Sequence, residues 1–142
     1  MSTQEFEIRI MTAFPPEFLR AARALYLENK WIDDSAPESF PGDAFAGSFL
    51  VAAVFTPQGE LAGMGRCLSD GVSDAYIQDV MTAKPFRRRG VGKLVTTTLA
   101  AELKNRGVDW IGLVGVPGTE QFYAECGLKA APGHTLWMAE EP

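Results

Sequence analysis

Between Phe49 and Thr82 three strand-like runs follow one another with only two short turns between them. Phe49 to Phe55 is the first, and Pro57-Gln58-Gly59-Glu60 turns into Leu61 to Leu68. Asp70-Gly71 then turns into Ala75 to Thr82. Strands joined so briefly pair antiparallel, because a parallel neighbour needs a long crossover. The meander therefore excludes a doubly wound parallel sheet for this half of the chain. Ahead of it, Phe6 to Ile10 alternates as a half-buried strand does. Pro15-Pro16 opens a helix expected to run to about Lys30, with Phe18, Leu19, Ala22, Leu25 and Tyr26 on its apolar face. Trp31 to Ser48 reads as loop, with a short helix expected around Glu38 to Phe45.

The pattern changes after Thr82. Five cations lie between Lys84 and Lys93, in a chain of net charge −5, and no carboxylate falls between Val80 and Ala101. A helical pattern follows directly, with Val91, Leu94, Val95, Thr98, Leu99 and Leu103 on one face. It ends near Arg106-Gly107, where glycine suits the left-handed position past a helix end. Trp110 to Val114 reads as a strand, Thr119 to Glu125 as a short helix leaving through Gly127-Leu128, and Thr135 to Ala139 as a last strand. The expected architecture is one α/β (α+β) domain spanning the 142 residues. Its mixed, mostly antiparallel sheet is flanked by helices, in the order β-α-(α)-β-β-β-α-β-α-β.

Composition narrows the setting. No stretch approaches the roughly 20 apolar residues of a membrane span. Glu5 and Glu7 stand where a signal peptide would carry cations and an apolar run. With no secretory signal read, Cys67 and Cys126 are expected to be reduced thiols in a cytoplasmic protein. Neither has a second Cys or His at ligand spacing, so no metal is expected. An acidic body with one concentrated basic site fits a small polyanion better than a nucleic acid, which needs an extended basic face.

Three phosphate-binding designs can be compared with Arg87-Arg88-Arg89-Gly90-Val91-Gly92-Lys93. A P-loop fails, because Leu94 follows Lys93 where a magnesium-binding hydroxyl is required. The dinucleotide fingerprint fails at Val95, its third glycine position, and Lys84-Pro85 separates strand from loop. The third design, [RQ]-x-x-G-x-[GA] between a strand and a long helix, is matched in full by Arg87 to Gly92. With Ala75 to Thr82 before it, and Phe122-Tyr123-Ala124-Glu125-Cys126-Gly127-Leu128 after it, the chain resembles the GNAT superfamily of acyl-CoA-dependent N-acyltransferases.

The resemblance implies acetyl-CoA as co-substrate and no metal. Its pyrophosphate would lie on the main chain of Arg87, Arg88, Arg89, Gly90, Val91, Gly92 and Lys93. Pantetheine would run along Val80, Met81 and Thr82, with Val80 and Thr82 as the main-chain contact positions. The glycines have a physical reason of their own, since backbone without a Cβ can approach phosphate oxygens and adopt strained angles. The helix starting there adds its dipole.

Amine attack on a thioester needs a neutral amine, a donor for the developing oxyanion and a proton for the departing thiolate. An alkylamine with a pKa of ~10.4 is almost wholly protonated at neutral pH, so something must help remove its proton. The resemblance places Tyr123 as the acid that protonates the sulfur. Asp79, on the strand before the loop, is the leading candidate for the base, with a strand-end hydrogen-bonding role equally open. His134 is the other group considered, as a side chain with an ordinary pKa near 7. Cys126 reads as packing, and direct attack in a ternary complex is implied.

Family resemblance also puts the acceptor against the segment holding Trp31, Asp33, Asp34, Glu38, Phe40 and Asp43. Carboxylates with aromatics suit a cationic primary amine of a small molecule. A protein or peptide acceptor, a non-catalytic acetyl-CoA sensor and a homodimer paired through C-terminal strands stay open at this point.

Overall fold

The meander is the centre of the structure. The computed structural model describes residues 5–141, with one five-stranded sheet whose spatial order is β1-β2-β3-β4-β5. β1 (Glu7–Ile10), β2 (Leu50–Phe55), β3 (Leu61–Ser69) and β4 (Asp74–Thr82) pair antiparallel. β5 (Trp110–Gly112) adds parallel to β4 after the crossover. The helices are α1 (Pro16–Glu28), α2 (Gly42–Ala46), α3 (Val91–Asn105) and α4 (Glu120–Glu125). A single 3-10 turn, Lys84–Phe86, joins β4 to the basic loop.

Each sheet face has its own core. Val91, Val95, Leu99 and Leu103 of α3 pack on Ala52, Val54, Ala62, Cys67, Ala75 and Ile77. On the other face Phe18, Ala22, Leu25 and Tyr26 of α1, with Phe45 of α2, pack on Val51, Ala53, Met64 and Met81. Buried on both faces, β2 is the continuous apolar run LVAAVF. α3 can lie this close to β3 because Gly65 has no Cβ, which would stand 2.7 Å from Val95 Cγ1. Its end is closed by Gly107 at φ +89°, with the Val108 N–H on the Leu103 carbonyl and the Gly107 N–H on the Lys104 carbonyl.

One irregularity matters for the site. Met64 faces Met81 and Arg66 faces Gln78, so Asp79 and Val80 together oppose Gly65. This is a β-bulge, and Asp79 takes the left-handed conformation at φ +56°. Ala75 and Ile77 point to the α3 face, and simple alternation would send Asp79 after them. The bulge instead gives that place to Val80 and turns Asp79 towards α1.

Element bounds differ from the sequence expectation at several ends. α1 stops at Glu28, and Lys30 has turned to φ +61°. The short second helix is Gly42–Ala46 instead of Glu38 to Phe45, and β5 has three residues instead of five. Thr135 to Ala139 forms no strand at all. A strand exists only as part of a ladder, and no strand lies on the far side of β5 among the described residues. Leu136, Trp137 and Met138 are left exposed instead, Trp137 at 88%.

Candidate active site

The basic loop is a main-chain cradle. Arg87 is extended, Arg88 is left-handed at φ +64° and Gly90 is left-handed at φ +81°. Left-handed residues within a turn bring nearby N–H groups to one side, a concave geometry that suits anions. Gly90 caps α3 with no side-chain hydrogen bond, and the first turn holds no acid. Leu94 is the first residue whose N–H reaches the Gly90 carbonyl, at 2.9 Å. The N–H groups of Val91, Gly92 and Lys93 therefore emerge at the helix start without an intrahelical partner. The side chains of Arg88 and Lys93 are exposed around them.

Arg87 works differently. Its Nε donates to the Thr82 carbonyl and a terminal nitrogen to Asn29 Oδ1, both at 3.3 Å. Its guanidinium ties the loop to the end of β4 and to α1, and its N–H lies on the Lys84 carbonyl at 3.3 Å, so the donors of the cradle come after it. The Arg89 guanidinium lies 6.0 Å from the Phe86 ring centroid.

β4 supplies an open main-chain edge beside the loop. It pairs with β5 only from Asp74 to Tyr76, and beyond Tyr76 that edge of β4 has no neighbouring strand. The Ala83 N–H points into β3, to the Ala62 carbonyl at 2.8 Å. Alternation turns the main-chain groups of Thr82 and Val80 the other way, to the open edge. Met81 does not join them. Its main chain faces β3 and its side chain is buried under α1.

α4 is held against this region through glycine. A Cβ on Gly92 would stand 3.0 Å from the Phe122 ring and 3.6 Å from Thr82 Oγ1. Tyr123 follows Phe122, half-buried. With Tyr76, Trp110, Gly112, Thr119 and Leu128 it lines a cavity of about 500 Å³ between β5 and α4. Burial, with a smaller contribution from Cys126, pushes the Tyr123 hydroxyl above its usual pKa. Burial also raises the Cys126 thiol, against a smaller lowering effect of the neighbouring Thr96 hydroxyl. A thiol held protonated in this way is a poor nucleophile.

Asp79 sits at the centre of a polar network. Its Oδ2 accepts from the Tyr26 hydroxyl and from Arg66 Nε, each at 2.7 Å. A terminal nitrogen of Arg66 donates to Ser48 Oγ at 3.2 Å. Burial first, then the Asp79 charge, holds the Tyr26 hydroxyl far above the usual tyrosine range. Burial acts to lower the Arg66 pKa, but the hydrogen bond and charge of Asp79 outweigh it and the net shift is upward.

The segment between α1 and β2 is pinned by Arg23, which donates to the carbonyls of Ala36, Pro37 and Phe40 at 3.0, 2.8 and 2.7 Å. Phe40 meets Tyr26 edge-on at 4.8 Å, and the Trp31 N–H bonds the Tyr26 carbonyl. The Asp33 carboxylate is engaged by Ser35 and that of Asp43 by Ser39 and the Ala44 N–H. Asp34 and Glu38 are exposed. His134 lies exposed in the C-terminal turn, with Nδ1 3.2 Å from the Pro132 carbonyl oxygen. Among the described residues no group of His, Cys, Asp and Glu could hold a metal ion, and no helix is long and apolar enough to cross a membrane.

Tyr26, Arg66, Ser48 and Arg23 were not among the sequence candidates. Only Arg66 left a trace, as a cation inside the small, apolar run of β3.

An uncapped, glycine-started helix beside two parallel strands that pair over only three residues is the arrangement of an anion site opening onto a free strand edge. Residues 9–128 match the model of the acetyltransferase (GNAT) family, and the chain belongs to that family. It is 29% identical over 121 residues to serotonin N-acetyltransferase 2 of Oryza sativa subsp. japonica, covering 84% of this chain and 52% of that protein. It is 33% identical over 91 residues to GCN5-related N-acetyltransferase 3 of Arabidopsis thaliana, covering 63% of this chain and 37% of that protein. Both relatives are named as chloroplastic, and the chain spans about a third to a half of their length. A GNAT family acetyltransferase from Streptococcus pneumoniae superposes with a TM-score of 0.75 at 17% identity, over 96% of this chain and 99% of that one.

Proposed function

We propose that the protein transfers the acetyl group of acetyl-CoA to a primary amine of a small molecule, by direct attack in a ternary complex. The observation that carries this reading is the pair of left-handed residues, Arg88 and Gly90, opening an uncapped α3 beside the open edge of β4. Main-chain donors and a positive helix end suit a pyrophosphate, and the edge at Val80 and Thr82 suits an amide-bearing arm. Bound there, acetyl-CoA would supply an acetyl group activated as a thioester.

The chain's own groups fit the remaining tasks. Tyr123, kept protonated by burial, donates its proton to the departing sulfur. Asp79 is the candidate to take the proton of the acceptor ammonium. With Oδ2 occupied by two donors, Oδ1 is the oxygen for that step. The acceptor enters along the Arg23-pinned segment, where Trp31 and Phe40 offer faces for a cation.

A homodimer is part of the same proposal. Exposed Leu136, Trp137 and Met138 and the unpaired edge of β5 are what two copies could cover in each other. Sedimentation at micromolar concentration should give twice the chain mass, and a monomer would end that part of the reading.

Thiol release from acetyl-CoA, measured against a panel of cationic amines, neutral amines and peptides, tests the function. Turnover with small cationic amines is expected. Turnover confined to peptides would replace the acceptor, and binding without turnover on any acceptor would make the protein an acetyl-CoA sensor.

A further inference from the structure

Asp79 keeps its backbone in the left-handed region although it carries a Cβ, and does so inside a strand. Such a conformation persists only where the surroundings over-determine it. Here contacts from two other elements do so. Tyr26 reaches Oδ2 from α1 and Arg66 reaches it from β3, while Ser48 steadies Arg66 from the loop before β2. The Asp79 and Arg66 side chains are each 16% exposed, so the bonds are shielded from water. The residue this bulge displaces is Val80, whose main chain is thereby left to the open edge of β4.

We infer that Tyr26 and Arg66 are positioning residues for the donor: by gripping Asp79 they lock the bulge, and the locked bulge presents the Val80 main chain to acetyl-CoA. The inference rests on the donor reading above and adds to it a role for three residues that touch one another across the α1 face. A lock needs an acceptor oxygen and tolerance of positive φ at position 79. It does not need a negative charge or a proton acceptor. Asparagine meets both requirements and alanine meets neither.

Acetyl-CoA binding by calorimetry on the whole chain tests this without any acceptor. Wild type should bind, Asp79→Asn should bind within about twofold of it, and Asp79→Ala should bind about tenfold more weakly. Tyr26→Phe, which removes one grip and keeps the ring, should lose about threefold. The Val80 amide should exchange faster with solvent in Asp79→Ala and Tyr26→Phe than in wild type or Asp79→Asn. Wild-type affinity in Asp79→Ala overturns the inference, and so does Asp79→Asn binding as weakly as Asp79→Ala. Should Asp79→Ala fail to fold, unchanged affinity in Tyr26→Phe overturns it. No binding by wild type removes the donor reading itself, and the lock with it.

Discussion

The Phe122 ring packs against the bare α-carbon of Gly92, so that a Cβ there would stand 3.0 Å from the ring. The contact joins the first turn of α3 to the short helix carrying Tyr123. Whatever moves Phe122 moves the proposed acid with it.

Gly92→Ala should therefore act on chemistry more than on folding. The added methyl needs the ring to shift by a few tenths of an ångström, and α4 is a six-residue helix with little to resist it. A fall in kcat of about tenfold is expected, equivalent to about 1.4 kcal/mol in the barrier. Steady-state kinetics beside a thermal melt separates this from unfolding.

Tyr123→Phe should lower kcat about a hundredfold at neutral pH, the usual scale for losing a positioned acid. Because burial raises the pKa of this hydroxyl, wild type keeps the acid through neutral pH and into the alkaline range. Any alkaline limb due to Tyr123 should lie above the ordinary tyrosine pKa of about 10 and be absent from the variant. A pH profile of kcat for both proteins checks it, and full activity in the variant removes the assignment.

Arg23→Ala should raise the acceptor KM while leaving the acetyl-CoA KM where it was. Three carbonyls of the segment between α1 and β2, the proposed acceptor side, lose one shared donor, and the hydrogen bonds of the Arg23 side chain among the described residues all go to that segment. Arg23→Lys should recover only part of the loss, since an ammonium cannot reproduce the planar fork. Equal changes in both constants would show the segment to be structural only.

Tyr26→Phe should cost about 2 kcal/mol at neutral pH, as expected for a hydrogen bond to a charged group. The folded-state pKa of Tyr26 is raised, so its contribution is complete below the unfolded value of about 10 and is lost as pH rises beyond it. In that range the unfolded chain ionises while the folded one resists. Denaturant melts of the two proteins should accordingly converge as pH climbs above about 10, and a constant gap would count against the shift.

The meander, α3 and the glycine turn were readable because each depends on local pattern: period two, period 3.6, and a residue tolerant of positive φ. The bulge was not. Whether Asp79 points to α3 or α1 is decided by the bulge opposite Gly65, and alternation along β4 alone gives the opposite face. Arg87 shows a related limit. The motif marks it as part of a phosphate loop, while its guanidinium is spent on Thr82 and Asn29, a partner 58 residues away in sequence. Thr135 to Ala139 had the alternation of a strand, but alternation does not decide whether a segment reaches a sheet edge, and among the described residues β5 takes no partner beyond β4.

The placement of the tryptophans has a practical use. Trp31 stands on the segment between α1 and β2, Trp110 beside the Tyr123 cavity and Trp137 on the C-terminal segment, at 55%, 52% and 88% exposure. The three indoles are thus intrinsic fluorophores at separate surfaces, all emitting from a watery environment in the free protein. With two of them changed to phenylalanine, the third becomes a label-free reporter. A blue shift would then mark which surface loses water when an amine, acetyl-CoA or a second copy arrives.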